Sequence, residues 1–266
     1  MPLAVCATPI GNLEDITLRV LAELREADVV LAEDTRHTRG LLERHGIRAR
    51  LLSYHEHNEA ARVAELLPRL EAGERIALVT DAGMPVVSDP GARLVRAALD
   101  AGVEVTVLPG PSAVETAFVA SGLGGGSYAF VGFLPRKAGE LDALWRELGS
   151  WTWPVVAFES AQRLPSTLRS LAAFDPAREL AVCRELTKRY EEVVRGRADA
   201  LAERFTEAPK GEITLVVGAA SGSSDPAVAR AAVAELVEAG TPRGVAAEVV
   251  SRLTDLSRND LYRGSL

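Results

Sequence analysis

The sequence is poor in cysteine, in histidine and in long apolar segments, and each shortage excludes a class of protein. Two cysteines are too few for a disulfide framework or a four-cysteine zinc site. Among the four histidines, only His55 and His57 lie close together, which is weak support for a metal site, so we expect none. No apolar run reaches the roughly 20 residues that cross a bilayer. Residues 1–15 turn acidic before a signal-peptide pattern develops. These features predict a cytoplasmic protein without a membrane segment.

An excess of positive charge is also missing, because the formal net charge is −7. Nucleic-acid-binding domains are usually basic, so the composition argues against binding through the whole surface. Lysine is the scarcer cation: Lys137, Lys188 and Lys210 stand against 27 arginines. The arginine preference is typical of GC-rich coding sequence, and it draws attention to the three lysine positions.

Short β-branched runs alternate with amphipathic segments in the first half of the 266 residues. This alternation predicts a mostly parallel sheet with helices on both faces. The predicted strands are 3–8, 28–33, 48–53, 76–80 and 103–108, and the predicted helices are 15–25, 35–45, 58–71 and 90–101. A glycine-rich stretch at Ser121–Ser127 marks a predicted domain boundary.

A second alternating set follows this stretch. Its predicted strands are 128–133, 154–159, 179–186 and 212–217, and its predicted helices are 139–148, 162–173 and 199–206. A polar loop at Ser221–Asp225 precedes a tail with helices predicted at 226–239 and 243–253. The expected fold class is therefore α/β, with two α/β domains at 1–120 and 121–220 and a small helical extension at 221–266.

Ligands of open α/β sheets bind beyond the carboxyl ends of the strands, and five turns at such positions are rich in glycine, proline or charge. They are ATPIGNL at 7–13, EDTRH at 33–37, DAGMPVVSDPG at 81–91, PGPSA at 109–113 and CRELTK at 183–188. Three of them also have ordinary interpretations: a plain strand-to-helix turn at 7–13, a helix cap at 33–37 and an exposed salt bridge at 183–188. The chain has no phosphate loop ending in GKS or GKT, and no G-x-G-x-x-G turn follows its first strand.

Taken together and in this order, the motifs resemble the tetrapyrrole methylase-like family. Within it they resemble the branch that methylates ribose 2′-hydroxyl groups of small-subunit ribosomal RNA. The resemblance runs from Leu3 to about Gly218 and rests on TPIGNLEDIT, AEDTRH, VTDAGMPVVSDPG, LPGPSA, FVGFLPRK, FES, RELTKRYEE and KGE. Members that act on tetrapyrroles carry a glycine-rich first turn and a G-D-P third loop, which this sequence lacks. The tail resembles the extension of that branch through SRNDLY.

The resemblance implies two α/β domains of the tetrapyrrole methylase type with S-adenosylmethionine bound in the cleft between them, and a homodimer. It assigns to the cofactor Pro9, Asp81, Ala82, Gly83, Val87, Ser112, Ala113, Glu159 and Leu186. It also implies methyl transfer to a cytidine of 16S rRNA, with the rRNA or the 30S particle as partner. Two alternatives stay open: a methyltransferase that acts on a tetrapyrrole, and a non-catalytic ribosome-assembly factor.

Methyl transfer to a ribose hydroxyl releases a proton, so a general base near the acceptor is expected. The catalytic candidates are Glu185, Lys188 and Asp34, with the Glu185–Lys188 pair ranked first; His55 and His57 are further candidates. A desolvated lysine can lose its proton, whereas arginine cannot. For local contact with RNA we predict Arg36, Arg136, Lys137 and Arg184. The run 184–197 is equally open to interpretation as an exposed helix face.

Overall fold

The first half of the protein is built on a five-stranded parallel sheet. The computed structural model describes residues 2–220, 226–254 and 256–264. The strands are β1 (Leu3–Cys6), β2 (Val29–Ala32), β3 (Leu51–Ser53), β4 (Ile76–Leu78) and β5 (Val105–Leu108), in the order β3-β2-β4-β1-β5. Parallel neighbours need crossover connections, and a helix lies in each one. The mostly parallel sheet expected from the alternation is confirmed.

Helices cover both faces of this sheet because its strands are apolar on both sides. One face packs against α1 (Leu18–Glu26) and α2 (Thr35–Arg44), and the other against α3 (Glu59–Glu71) and α4 (Ala92–Asp100). Along β1, Ala4 belongs to the first core and Leu3 to the second. Burial on both faces explains why these strands are continuous apolar runs in the sequence.

The second sheet also has five strands, but most of its pairs are antiparallel. They are β6 (Ala129–Phe133), β7 (Val155–Ser160), β8 (Glu179–Arg184), β9 (Glu192–Arg197) and β10 (Glu212–Val217), in the order β6-β7-β10-β8-β9. Of the described pairs in this sheet, β6 with β7 is the parallel one. Only β8 and β9 are consecutive antiparallel neighbours, whereas a helix lies in the connection from β7 to β8 and in that from β9 to β10.

Strand β9 departs from the expectation for 184–197, a basic run or an exposed helix face. It pairs with β8 along its whole length, from Arg184↔Glu192 to Glu179↔Arg197. Val194 is buried in the core, whereas Arg197 is exposed and Arg195 donates to the Ser121 carbonyl at 2.9 Å. Charged side chains are common on edge strands such as β9. In the sequence, these charges make the short apolar alternation of the strand difficult to recognise.

Helix α5 (Ala113–Ser121) joins the two halves. It starts directly after the last turn of the first sheet and packs Val114 and Ala117 against Val156, Ala181 and Val216 of the second sheet. The other face of that sheet is covered by α6 (Ala138–Leu148), α7 (Leu164–Phe174) and α8 (Ala198–Arg204). This arrangement places the second sheet opposite the carboxyl ends of the first-sheet strands.

The tail forms a separate helical cluster of α9 (Pro226–Glu238), α10 (Arg243–Leu253) and α11 (Arg258–Gly264). The first two helices match the predicted ranges closely, and α11 is additional. Its start has a local signal, since the Ser257 hydroxyl accepts from the Asp260 amide at 3.1 Å. The predicted loop at Ser221–Asp225 lies outside the described residues. Within the described ranges, no helix combines the length and apolar character needed to cross a bilayer.

Candidate active site

A cleft of about 550 Å³ lies between the two sheets. The first wall is formed by turns after β1, β2, β4 and β5, and it contributes Ile10, Glu33, Asp81, Ala82, Gly83, Met84, Val87, Ser88, Asp89, Ser112, Ala113 and Val114. The second wall contributes Phe133, Phe158, Glu159, Ser160, Ala161, Cys183, Leu186, Gly211, Glu212, Ile213 and Thr214. The cleft therefore lies where open α/β sheets bind ligands.

The first wall is held together by bonds between its turns. Thr8 and Gly83 exchange two backbone hydrogen bonds, at 2.8 and 3.1 Å. The Thr8 hydroxyl also donates to the Thr80 carbonyl at 3.0 Å. Gly83 takes a φ of 80°, a conformation that glycine adopts without strain. The turn after β1 and the loop after β4 thus form one unit.

Two loops that face each other across the cleft hold strained backbone. In the described part of the chain, the non-glycine residues with positive φ are Val86 (78°), Ser88 (64°), Glu185 (52°) and Thr187 (63°). Such conformations cost on the order of 1–3 kcal/mol each and cluster at functional sites. A β-branched residue such as Val86 is especially unfavourable there. The strain marks both the 81–91 and the 185–188 loops as candidate functional segments.

The walls touch at Gly11. A Cβ atom at this position would collide with the side chain of Lys188 and lie 2.8 Å from the Thr187 hydroxyl. The same hydroxyl accepts a hydrogen bond from the Asn12 amide at 3.0 Å. Glycine is required at Gly11 because the loop after β8 approaches the backbone so closely, and the contact fixes one end of the cleft.

Charge is distributed unevenly over the lining. Among the described lining residues none is lysine, arginine or histidine. Glu33, Asp81 and Asp89 of the first wall form no ion pair among the described residues. Burial, followed by the negative charge of Glu33, raises the pKa of Asp89 to about 7, against the smaller lowering effect of its hydrogen bond with Thr80. The cleft therefore suits a cationic ligand and disfavours an anionic one.

Most of the residues assigned to the cofactor are brought together at the cleft. The structure places eight of them in the lining: Asp81, Ala82, Gly83, Val87, Ser112, Ala113, Glu159 and Leu186. Pro9 is the exception, because it is buried in the turn and its neighbour Ile10 faces the cleft instead. Ser112 begins helix α5, and its hydroxyl hydrogen-bonds the Glu115 carboxylate.

Glu159 reaches the lining, but its carboxylate is occupied by its own half of the protein. Its side chain is 0% exposed and lies 2.5 Å from the Arg163 guanidinium. It also accepts from the Thr167 hydroxyl at 2.6 Å and from the Ser160 amide at 2.6 Å. These partners leave little capacity for a ligand, so the carboxylate serves mainly to fix α7 onto β7.

Glu185 and Lys188 belong to a three-residue ion cluster with Glu212. The Lys188 Nζ lies 3.0 Å from Glu185 Oε1 and 2.8 Å from Glu212 Oε2. Burial acts to lower the pKa of Lys188, but the bonds to Glu212 and Glu185 outweigh it and the pKa is raised. The pKa of Glu185 is lowered, chiefly by the Glu212 amide. Both shifts oppose a role as base and favour the salt-bridge alternative, with a permanent positive charge on Lys188.

Asp34 is the capping residue of α2. Its Oδ1 accepts from the Arg36 amide at 2.8 Å, and its Oδ2 pairs with Arg36 Nη2 at 2.7 Å. The Arg36 guanidinium holds the pKa of this carboxyl well below its usual range. Asp34 is absent from the described lining, and its amide donates to Asp81 Oδ1 at 3.1 Å. These contacts are those of a positioning residue, and a catalytic role for Asp34 stays a prediction that they do not support.

The four arginine and lysine residues predicted to meet RNA differ in availability. Arg36 and Lys137 are exposed, paired with Asp34 and Glu140 respectively. Arg136 is exposed and has no ion pair among the described residues. Arg184 is the most engaged of the four: its guanidinium bonds Glu192 at 3.1 Å and the Lys210 carbonyl at 3.2 Å, and its contact with RNA stays a prediction. Arg184 thus ties the end of the second sheet together.

Several lining residues were not singled out from the sequence. Glu33 and Asp89 lie inside motifs quoted above. Their importance depends on contacts between distant parts of the chain, such as the hydrogen bond between Thr80 and Glu33, which are 47 positions apart. Phe133, in the FVGFLPRK segment, is 62% exposed at the cleft and packs edge-on against Phe158 at 5.4 Å. The described residues hold no group of three side chains arranged for a metal ion, although the rings of His55 and His57 are 5.9 Å apart.

Comparison with known proteins places this geometry in a family. Residues 2–202 match the family model of tetrapyrrole (corrin/porphyrin) methylases. A solved structure of uroporphyrin-III C-methyl transferase from Thermus thermophilus, complexed with S-adenyl homocysteine, shares the fold with a TM-score of 0.56 and 21% identity. The match covers 80% of this chain and 96% of that one.

Curated relatives match at higher identity. Ribosomal RNA small subunit methyltransferase I from Mesorhizobium japonicum is 42% identical, over 98% of this chain and 90% of that protein. The protein of the same name from Thermotoga maritima is 45% identical, over 81% of this chain and 97% of that protein. The chain therefore belongs to the tetrapyrrole methylase family, in the branch of the relatives named ribosomal RNA small subunit methyltransferase I.

Proposed function

We propose that this protein is an S-adenosylmethionine-dependent methyltransferase that methylates the ribose 2′-hydroxyl of a cytidine in small-subunit rRNA. The observation that carries the proposal is the cleft between the two sheets, with carboxylates on one wall that form no ion pair among the described residues. The choice of rRNA as substrate rests on the names of relatives that are 42% and 45% identical. The 2′-oxygen and the cytidine rest on the motif resemblance.

The cleft passes a simple test of fit for this cofactor. A sulfonium and an ammonium group make S-adenosylmethionine locally cationic, and the described lining contains carboxylates without any basic side chain. When bound, the cofactor supplies an electrophilic methyl group. Asp81, Gly83 and Val87 of one loop, Ser112 and Ala113 of the next, and Leu186 of the second wall would hold it there. These residues orient the acceptor and exclude water, a contribution of several kcal/mol in transfers of this kind.

The same charge pattern limits how RNA enters. Phosphate groups are repelled by Glu33, Asp81 and Asp89, so a nucleoside enters the cleft while its backbone stays at the rim. Phe133 at the mouth offers a face on which an unpaired base can stack. Arg136 and Lys137, three and four positions further on, together with Arg36, would meet the phosphates. Because the net charge is −7, few phosphate contacts are expected, and the salt dependence of binding should be shallow.

Methyl transfer to ribosomal particles tests the proposal directly. Wild-type protein is incubated with radiolabelled S-adenosylmethionine and, separately, with 30S particles, free 16S rRNA or uroporphyrinogen III. Label in the rRNA, followed by mapping of an alkali-resistant 2′-O-methyl linkage, is the expected result. Label in the tetrapyrrole would indicate a different substrate class, and cofactor binding without any transfer would indicate an assembly factor.

We further propose that the protein is a cytoplasmic homodimer. In each subunit, the catalytic part consists of the α/β domains 1–120 and 121–220, and residues 221–266 form an extension. The support for the dimer is exposed apolar surface on the first unit, where β5 is an edge strand with Val107 half-exposed and α5 has Val119 78% exposed. Light scattering should give twice the chain mass, and Val119→Glu should lower it. A monomeric wild-type mass would contradict the dimer.

A further inference from the structure

The proposed transfer leaves one proton to be placed. Of the expected bases, His55 and His57 are absent from the described lining, and the other three are engaged with partners. Glu185 and Lys188 neutralise each other, and Asp34 is held by Arg36. The remaining carboxylates of the cleft must therefore be compared by their partners. This comparison rests on the proposed function, because the proton comes from the ribose hydroxyl of that reaction.

Asp89 differs from every other carboxylate of the cleft. Glu159 is paired with Arg163 and Glu212 with Lys188. Glu33 accepts the Thr80 hydroxyl at 3.1 Å, and Asp81 accepts the Asp34 amide at 3.1 Å. Asp89 can accept only the same Thr80 hydroxyl, whose single proton is donated to Glu33, and it contacts no cation among the described residues. It is thus the least stabilised carboxylate in the lining.

The charged side chains that line the cleft with Asp89 are all carboxylates, and the nearby cations are paired with other residues. Glu33 follows β2 and Asp81 follows β4 on the same wall, and Glu159 and Glu212 line the opposite wall. Behind the loop, Glu59 accepts the Gly91 amide at 2.9 Å and lies 3.5 Å from Arg93. Arg93 is therefore already engaged, and it is not a partner for Asp89.

The backbone aims Asp89 at the cleft. Val86 and Ser88, both with positive φ, precede it, and Gly91 with a φ of 134° follows it. A Cβ at Gly91 would lie 2.8 Å from Leu78 Cδ2, so the loop folds tightly onto β4. Strain of this kind persists where the surrounding structure requires it, and here it holds one side chain in the lining.

We propose that Asp89 accepts the proton of the ribose 2′-hydroxyl during methyl transfer. The hydroxyl oxygen forms the new bond to the methyl carbon, while the carbon–sulfur bond breaks and leaves its electron pair on sulfur. The O–H bond electrons stay on the oxygen, and the proton moves to the Asp89 carboxylate. Atoms and charge balance, because the positive charge lost by sulfur leaves as this proton.

The raised pKa of Asp89, about 7, fits both stages of this step. A base works best when its pKa is near the working pH. A cation bound beside Asp89 favours its ionised form before transfer. After transfer the sulfur is neutral, so the repulsion from Glu33 and Asp81 again favours the protonated form, and the proton is retained until exchange with solvent.

Asp89→Asn is the main test, with Asp100→Asn on α4 as the matched control. The Asp89 variant should lose about 10²- to 10⁴-fold in turnover on 30S particles. The acid limb of its kcat/KM profile, near pH 7 in the wild type, should disappear. Asp100→Asn should match the wild type in both respects. Turnover of Asp89→Asn within tenfold of wild type would overturn the proposal.

A binding measurement supplies a readout that does not depend on turnover. Calorimetry in buffers of different ionisation enthalpy counts the protons released on binding S-adenosylmethionine or neutral S-adenosylhomocysteine. At pH 7 the wild type should release up to about 0.5 proton more with the sulfonium ligand, since a group with a pKa near 7 is then half protonated. Asp89→Asn should abolish this difference. An unchanged difference would contradict the role of Asp89.

A second variant is needed in case Asp89→Asn does not fold, which a melting curve of that variant would show. Glu33→Gln removes a like charge, so the acid limb should move to lower pH by roughly 0.5–1 unit, and an unmoved limb would overturn the proposal. Wild-type labelling of 30S particles separates the two hypotheses. No wild-type labelling refutes the proposed function and, with it, this step, whereas normal labelling by Asp89→Asn refutes only the role of Asp89.

Discussion

The two walls of the cleft both carry carboxylates, but only one wall neutralises them. On the second wall, Glu159 is paired with Arg163, and Glu212 with Lys188. On the first wall, Glu33, Asp81 and Asp89 have no such partner among the described residues. The difference separates two uses of the same chemical group. Paired carboxylates hold elements together, whereas unpaired ones are available to a ligand or a proton.

The largest effect is expected where a buried pair of the second wall is broken. Arg163→Ala leaves the fully buried Glu159 carboxylate without its cation. Removal of one partner of a buried pair typically costs 3–5 kcal/mol of unfolding free energy, and the partly exposed Arg163 should give about 3 kcal/mol. Urea denaturation measures the loss, with exposed Arg146→Ala as control. A loss below about 1 kcal/mol would show that the walls do not differ in this way.

The next largest effect is expected on cofactor binding, because the first wall carries negative charge and the ligand is cationic. Asp81→Asn should weaken S-adenosylmethionine binding about tenfold, equivalent to roughly 1.4 kcal/mol, because a carboxylate facing the cationic ligand is lost. Binding of neutral S-adenosylhomocysteine should weaken less. Titration calorimetry gives both dissociation constants, and exposed Glu104→Gln is the control. Equal weakening of both ligands would indicate that Asp81 shapes the loop without sensing charge.

Stability should also depend on pH through the first wall. The pKa of Asp89 is raised from 3.8 to about 7 in the folded protein, so the folded state holds an extra proton between these values. This contribution to stability is present at low pH and is lost as pH rises through about 7. Asp89→Asn should therefore raise Tm at pH 8, by roughly 2–4 °C, raise it less at pH 5, and have little effect below the unfolded-state pKa of 3.8. A variant that melts lower at pH 8 would contradict this.

The smallest effect is expected at Lys188, whose contacts favour a paired cation over the predicted base. A base at this position would not tolerate arginine, but a paired cation would. Lys188→Arg should stay within roughly threefold of wild-type turnover, whereas Lys188→Met should lose more because Glu185 and Glu212 are left unpaired. Initial rates on 30S particles decide the point. Loss of nearly all turnover in Lys188→Arg would restore Lys188 as the base.

The strand-and-turn plan was accessible from the sequence because it is local. Alternation of apolar runs and helices located the four helical crossovers of the first sheet, and glycine and proline located the 81–91 loop. Strand β9 was not accessible, since its arginines mask a short apolar alternation that is stabilised only by pairing with β8. Arg184 was assigned to RNA for a similar reason: its charge is visible in the sequence, but Glu192 is recognisable as its partner only once the strands pair.

By itself, then, the sequence determined the fold class, the family resemblance and the turns that meet at the cleft, because each depends on residues close together in the chain. Only the tertiary structure decided which charges are compensated. The pKa of Asp89 is raised first by burial and then by Glu33, which follows another strand, and Lys188 is bonded to Glu212, 24 positions away. Electrostatic interactions depend on distance and burial, and the sequence specifies both only through the completed fold.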